Sequence, residues 1–120
     1  MRNSILIVED SRSFALSLEE AVRQGSNFEV LVALNYAQAC QLLEKYKENI
    51  FLAITDLNLP DAEPGDAVNL MATNNIHCIA FTGNFSPGLR DKVLSLGVSD
   101  YVLKNDKQDI DYVVNMINRM

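Results

Sequence analysis

Short apolar runs alternate with segments of helical period five times along the chain. The runs are Ile5–Val8, Phe28–Ala33, Phe51–Thr55, Cys78–Thr82 and Tyr101–Leu103. They are mostly continuous and often β-branched, which suits strands buried on both faces. Between them the apolar positions recur at helical spacing. Phe14, Leu18, Ala21 and Val22 share one face, and Gly25 offers a stop. Asn35 with Gln38 forms a capping-box pattern opening a second helix, whose apolar face holds Ala39, Leu42, Leu43 and Tyr46. Ala67, Leu70 and Met71 mark a short third helix. Ser86 followed by Pro87 opens a fourth, running through Leu89, Val93 and Leu96 to Gly97. Asp106 caps a fifth carrying Ile110, Val113, Val114 and Ile117. Five βα units imply an α/β fold, a five-stranded parallel sheet flanked on both faces by five helices. In doubly wound sheets of this kind the chemistry sits on loops past the carboxyl ends of the strands.

Composition narrows the class. The 120 residues suit one domain, 1–120, with no output domain expected. A chain this long buries enough surface to need neither disulfides nor a structural metal. No apolar run approaches a membrane span, and none resembles a signal-peptide core, so a cytoplasmic location is the expectation. Ten basic and sixteen acidic residues leave a net charge of −6, without a basic cluster interleaved with aromatics. Direct nucleic-acid binding is not expected. Cys40 and Cys78 lack metal-ligand spacing and read as two buried, reduced thiols. His77, the single histidine, opens an apolar run and reads as structural.

The strand ends carry the candidate chemistry. Glu9 and Asp10 follow the first strand, Asp56 follows the third, Thr82 ends the fourth and Lys104 follows the fifth. Each has an ordinary explanation alone. An acidic pair after a strand is commonly a solvated loop, Asp56 in Asp56-Leu57-Asn58-Leu59-Pro60 could form an Asx turn, and a lone Lys is commonly a surface charge. Together they put three carboxylates, a hydroxyl and an ammonium on one sheet edge. Three clustered carboxylates repel, and a hard divalent cation relieves this; all-oxygen ligands favour Mg²⁺ over zinc or copper. A carboxylate in such a setting can act as nucleophile toward a phosphoryl group, with Lys104 and Thr82 placed to meet phosphoryl oxygens.

Four blocks of sequence resemble the response-regulator receiver domains of bacterial two-component systems, and the resemblance covers the whole chain. They are Ile5-Leu6-Ile7-Val8-Glu9-Asp10-Ser11, Asp56-Leu57-Asn58-Leu59-Pro60, Phe81-Thr82-Gly83, and Gly97-Val98-Ser99-Asp100-Tyr101-Val102-Leu103-Lys104. The resemblance implies a flavodoxin-like doubly wound sheet of order 2-1-3-4-5. It implies Asp56 as phosphoacceptor, with Asp10 on Mg²⁺ directly, Glu9 largely through water, and the Asn58 carbonyl as a further ligand. Thr82 would be the switch hydroxyl, Lys104 the phosphate-pairing ammonium and Tyr101 the aromatic that reports the state. The donor would be a sensor histidine kinase or a histidine phosphotransfer protein. Two features depart from the family pattern. Asn105 follows Lys104 where many receivers have Pro, and Asp61-Ala62-Glu63-Pro64-Gly65 is one residue longer than the usual turn before the third helix.

A phosphorylation-controlled interaction switch accounts for all five strand-end positions. A phosphorylation-independent binding module on the same fold predicts a degraded site instead. An enzyme acting on an external substrate is a further alternative. Its case is weakened because no GxGxxG follows the first strand and no second Asp lies two residues after Asp56. The expectation is a phosphoacceptor without external turnover, with the effector left open. The fifth helix carries Asp109, Asp111 and a single Arg119, which predicts a monomer or at most a weak dimer before phosphorylation. By the resemblance, Asn58 and Asn84 flank the path of hydrolytic water, which predicts dephosphorylation at an intermediate rate.

Overall fold

A computed structural model describes residues 2–83, 87–103 and 107–120, except for the side chains of residues 87, 107 and 108. Strands β1 (Ser4–Val8), β2 (Glu29–Ala33), β3 (Ile50–Thr55), β4 (His77–Thr82) and β5 (Asp100–Leu103) alternate with helices. The helices are α1 (Arg12–Gly25), α2 (Tyr36–Tyr46), α3 (Asp66–Thr73), α4 (Pro87–Ser95) and α5 (Lys107–Arg119). All strand pairs are parallel, in the order β2-β1-β3-β4-β5. The order reverses between β1 and β3, so the crevice at their carboxyl ends is the switch point at which such sheets place their chemistry.

The interior strand β1 shows why its apolar run is unbroken. Successive side chains leave a strand on opposite faces. Leu6 and Val8 therefore enter one core with Ala39, Leu43, Ala67, Val68, Met71 and Val93, from α2, α3 and α4. Ile5 and Ile7 enter the other with Leu18, Val22, Ile110, Val113, Val114 and Ile117, from α1 and α5. Both faces of β1 are thus covered, and all five of its residues are buried.

The helix starts are set by local side chains. Ser11 caps α1 by accepting the Phe14 amide at 3.4 Å. Asn35 Oδ1 accepts the Gln38 amide at 2.8 Å, the first half of the expected capping box. The reciprocal bond is displaced by one residue: Gln38 Oε1 accepts the amide of Leu34, not that of Asn35. The Ser86 and Asp106 caps fall outside the described residues. The expected burial of both thiols holds only for Cys78. Cys40 is half-buried, because it lies one position round α2 from the inward-facing Ala39; both thiols are free. His77 is exposed at the first position of β4.

Candidate functional site

The β1 and β3 ends carry the acidic residues to one point. Val8 pairs with Thr55, so the next residues of the two strands, Glu9 and Asp56, emerge side by side. Backbone bonds continue the ladder past the strand ends: the Asp56 amide donates to the Val8 carbonyl at 2.8 Å, and the Glu9 amide donates to the Ala33 carbonyl at 3.0 Å. One carboxylate oxygen from each of Glu9, Asp10 and Asp56 lies within 4.8 Å of the others. Glu9 is 3% exposed and Asp56 6%, whereas Asp10 faces solvent.

Each buried carboxylate has a backbone partner. Glu9 Oε2 accepts the Ser11 amide at 2.9 Å, and Asp56 Oδ1 accepts the Asn58 amide at 3.1 Å. These bonds orient the carboxylates and offset part of their desolvation, but they supply no full positive charge. The donor set is therefore hard, all-oxygen and anionic, and it fits a divalent cation of the Mg²⁺ type.

The remaining expected residues are distributed around this cluster. Asn58 is exposed and sits between Leu57 and Leu59, both buried, so the core grips the chain on either side of it. Thr82 ends β4 and is fully buried, opposite Leu103 in the β4–β5 register. Tyr101 is half-buried against the core that contains Ala80 and Val93. Lys104, which directly follows Leu103, lies outside the described residues, as do Asn84 and Asn105.

Three features near the site had no signal in the local sequence. The Ser11 amide on Glu9 arises from the turn into α1. The Cys78 thiol donates to the Thr55 hydroxyl at 3.3 Å in the layer below Asp56, and burial pushes that thiol up to about 12. Asp61, beyond Asn58 on the same loop, accepts the Tyr36 and Ala37 amides at 2.8 and 3.0 Å. Those two amides hold the Asp61 carboxyl below its ordinary value.

The response regulator receiver domain model matches residues 5–115, a span that includes the acidic cluster and all strand residues except Ser4. The chain belongs to this family. Among solved structures, the receiver is similar to a signal receiver domain from Vibrio parahaemolyticus, at 25% identity and a TM-score of 0.85, covering 99% of this chain and 89% of that one. A CheY-like response regulator receiver domain protein from Methanospirillum hungatei shares its fold at 22% identity and a TM-score of 0.86, covering 99% and 93%. A two-component response regulator/GGDEF domain protein matches at 29% identity and a TM-score of 0.85. There the receiver covers 98% of its own length but 47% of the larger chain.

Proposed function

We propose that this receiver is a phosphorylation-dependent signalling switch whose phosphoacceptor is Asp56. The observation that carries this reading is the grouping of the nearly buried Asp56 carboxylate with Glu9 and Asp10 at the sheet's switch point. The donor is a sensor histidine kinase or a histidine phosphotransfer protein. An Asp56 oxygen attacks the phosphorus of the donor's phosphohistidine. An O–P bond forms and the N–P bond breaks, and its electron pair leaves on the imidazole nitrogen, which takes up a proton. No general base is needed, because the carboxylate is already the nucleophile.

Asp10, Asp56 and the Asn58 carbonyl would hold Mg²⁺, with Glu9 contributing through water. The bound ion supplies positive charge against the phosphoryl oxygens. The Asn58 amide restrains the Asp56 carboxylate through Oδ1. The Thr82 hydroxyl donates to a phosphoryl oxygen, and Lys104 pairs with another. Movement of Thr82 lets Tyr101 turn inward, shifting a pre-existing equilibrium between two surfaces. Water later attacks the acyl phosphate, which returns the carboxylate and releases inorganic phosphate. The protein turns over no external substrate. Among the described residues no helix is long and apolar enough to cross a membrane. A cytoplasmic location suits the free thiols and the histidine-borne donor.

The test is incubation with a small-molecule phosphodonor and Mg²⁺, followed by mass spectrometry. One phosphoryl group on Asp56, absent in Asp56→Asn and without Mg²⁺, is the expected result. Failure of the parent to accept phosphate would instead favour a phosphorylation-independent binding module.

A further inference from the structure

The loop from Leu57 to Gly65 carries Asn58, whose carbonyl would be the backbone ligand in the proposed metal site. Its two ends are held within its own βα unit. Leu57 and Leu59 are buried, and the Gly65 amide closes the loop on the Leu57 carbonyl at 3.3 Å. Its outer part is held differently. The Asp61 carboxylate spans the N-terminus of α2, with Oδ1 on the Tyr36 amide at 2.8 Å and Oδ2 on the Ala37 amide at 3.0 Å. Both bonds are charge-assisted and satisfy amides that the helix itself leaves without partners. They join segments 24 and 25 residues apart in sequence.

We propose that Asp61 is a positioning residue for the metal site, a latch that fixes the Asn58 carbonyl by fastening its loop to α2. The proposal rests on the site reading given above. Only Leu59 and Pro60 separate Asn58 from Asp61, three steps of chain that span at most about 10 Å even when extended. Pro60 lies within that span, and its ring fixes one of the few rotations available. Between the two, Leu59 is the one side chain gripped by the core, so loss of the Asp61 anchor leaves the stretch after Asn58 held by that contact alone. Without the latch the loop samples more arrangements, and the ion must order it on binding. Linkage then runs both ways: bound Mg²⁺ must strengthen the latch as much as the latch strengthens Mg²⁺.

The α2 N-terminus contains its own control. Asn35 Oδ1 also caps this helix, through the Gln38 amide at 2.8 Å, but Asn35 belongs to the segment leading into α2 and not to the Asn58 loop. Asn35→Ala weakens the helix start without releasing the loop.

The experiment measures Mg²⁺ affinity of the full chain by calorimetric titration for the parent, Asp10→Asn, Asp61→Ala, Asp61→Asn and Asn35→Ala, with folding checked by circular dichroism. Asp61→Ala should weaken Mg²⁺ binding by roughly threefold to tenfold, at or below the low end of what partners touching a metal ligand contribute. Asp61→Asn, which retains one accepting oxygen, should fall between it and the parent. Asn35→Ala should bind as the parent does. In hydrogen exchange, Mg²⁺ should slow the Tyr36 and Ala37 amides of the parent and leave them unaffected in Asp61→Ala. If Asp10→Asn binds as well as the parent, or the parent binds no Mg²⁺, the site reading fails and the proposal fails with it. If Asp10→Asn loses affinity while Asp61→Ala keeps it, the site stands and the latch is overturned. Equal losses in Asp61→Ala and Asn35→Ala would also overturn it, because they would reduce the effect to helix stability.

Discussion

The backbone amide of Asn58 donates to Oδ1 of Asp56 across 3.1 Å, so the loop that would offer a carbonyl to the metal also restrains the proposed phosphoacceptor. Both contributions come from the backbone at residue 58, and the side chain there is exposed.

Asn58→Ala should therefore leave Mg²⁺ affinity within about twofold of the parent, since backbone groups survive the change. Asn58→Pro removes the amide. A hydrogen bond to a charged group contributes about 1.5–3 kcal/mol, so phosphorylation by a small donor should slow by roughly tenfold or more. Parallel Mg²⁺ titrations and phosphorylation time courses separate the two. A large loss of Mg²⁺ affinity in Asn58→Ala would assign the role to the side chain instead.

The two thiols should differ sharply in reactivity. The Cys78 thiol is buried and pushed up to about 12, so little of the thiolate forms near neutral pH and reagents cannot reach it. Half-buried Cys40 should be alkylated first, with Cys78 roughly a hundredfold or more slower until the chain unfolds. Peptide mapping after timed alkylation reads this directly, and comparable rates in the native protein would contradict the packing of β4.

Gly25 is required by its neighbour more than by its helix. A Cβ at this position would lie 2.5 Å from Cγ1 of Val114 on α5, a stiff β-branched side chain. Elsewhere in a helix Gly→Ala stabilises by about 1 kcal/mol. Here Gly25→Ala should destabilise by about 1–3 kcal/mol through overpacking. Val114→Ala should abolish that penalty, so that Gly25→Ala becomes neutral or favourable in its background. A double-mutant cycle by urea denaturation gives the coupling, and additive effects would mean that α1 and α5 do not meet closely here.

Asp61 also makes stability depend on pH. The Tyr36 amide, then the Ala37 amide, hold its folded-state carboxyl below the ordinary value of 3.8. A depressed folded value means that the ionised form favours the fold. Its stabilisation is present above about 3.8 and is lost as pH falls through the lower folded value. The urea midpoints of parent and Asp61→Asn should differ near neutral pH and converge in strong acid. A difference that widens on acidification would reverse the sign and refute the cap.

The alternation of apolar runs and helical periods was enough to determine the class of fold. A run such as Ile5–Val8 has no polar face, and only a sheet covered on both sides can bury it. Family-like blocks at the strand ends also made Glu9, Asp10 and Asp56 legible as one group, because parallel strands deliver their following residues to the same edge. Tertiary structure decided what depends on contacts between distant segments. Patterning describes which face of an element is buried but not what lies opposite it. The halved capping box at Asn35, the partial exposure of Cys40, the collision awaiting a side chain at Gly25 and the reach of Asp61 to α2 all depend on packing partners. A carboxylate after a turn proline looks the same in sequence whether it faces water or holds a helix 24 residues away, and only the folded chain distinguishes the two.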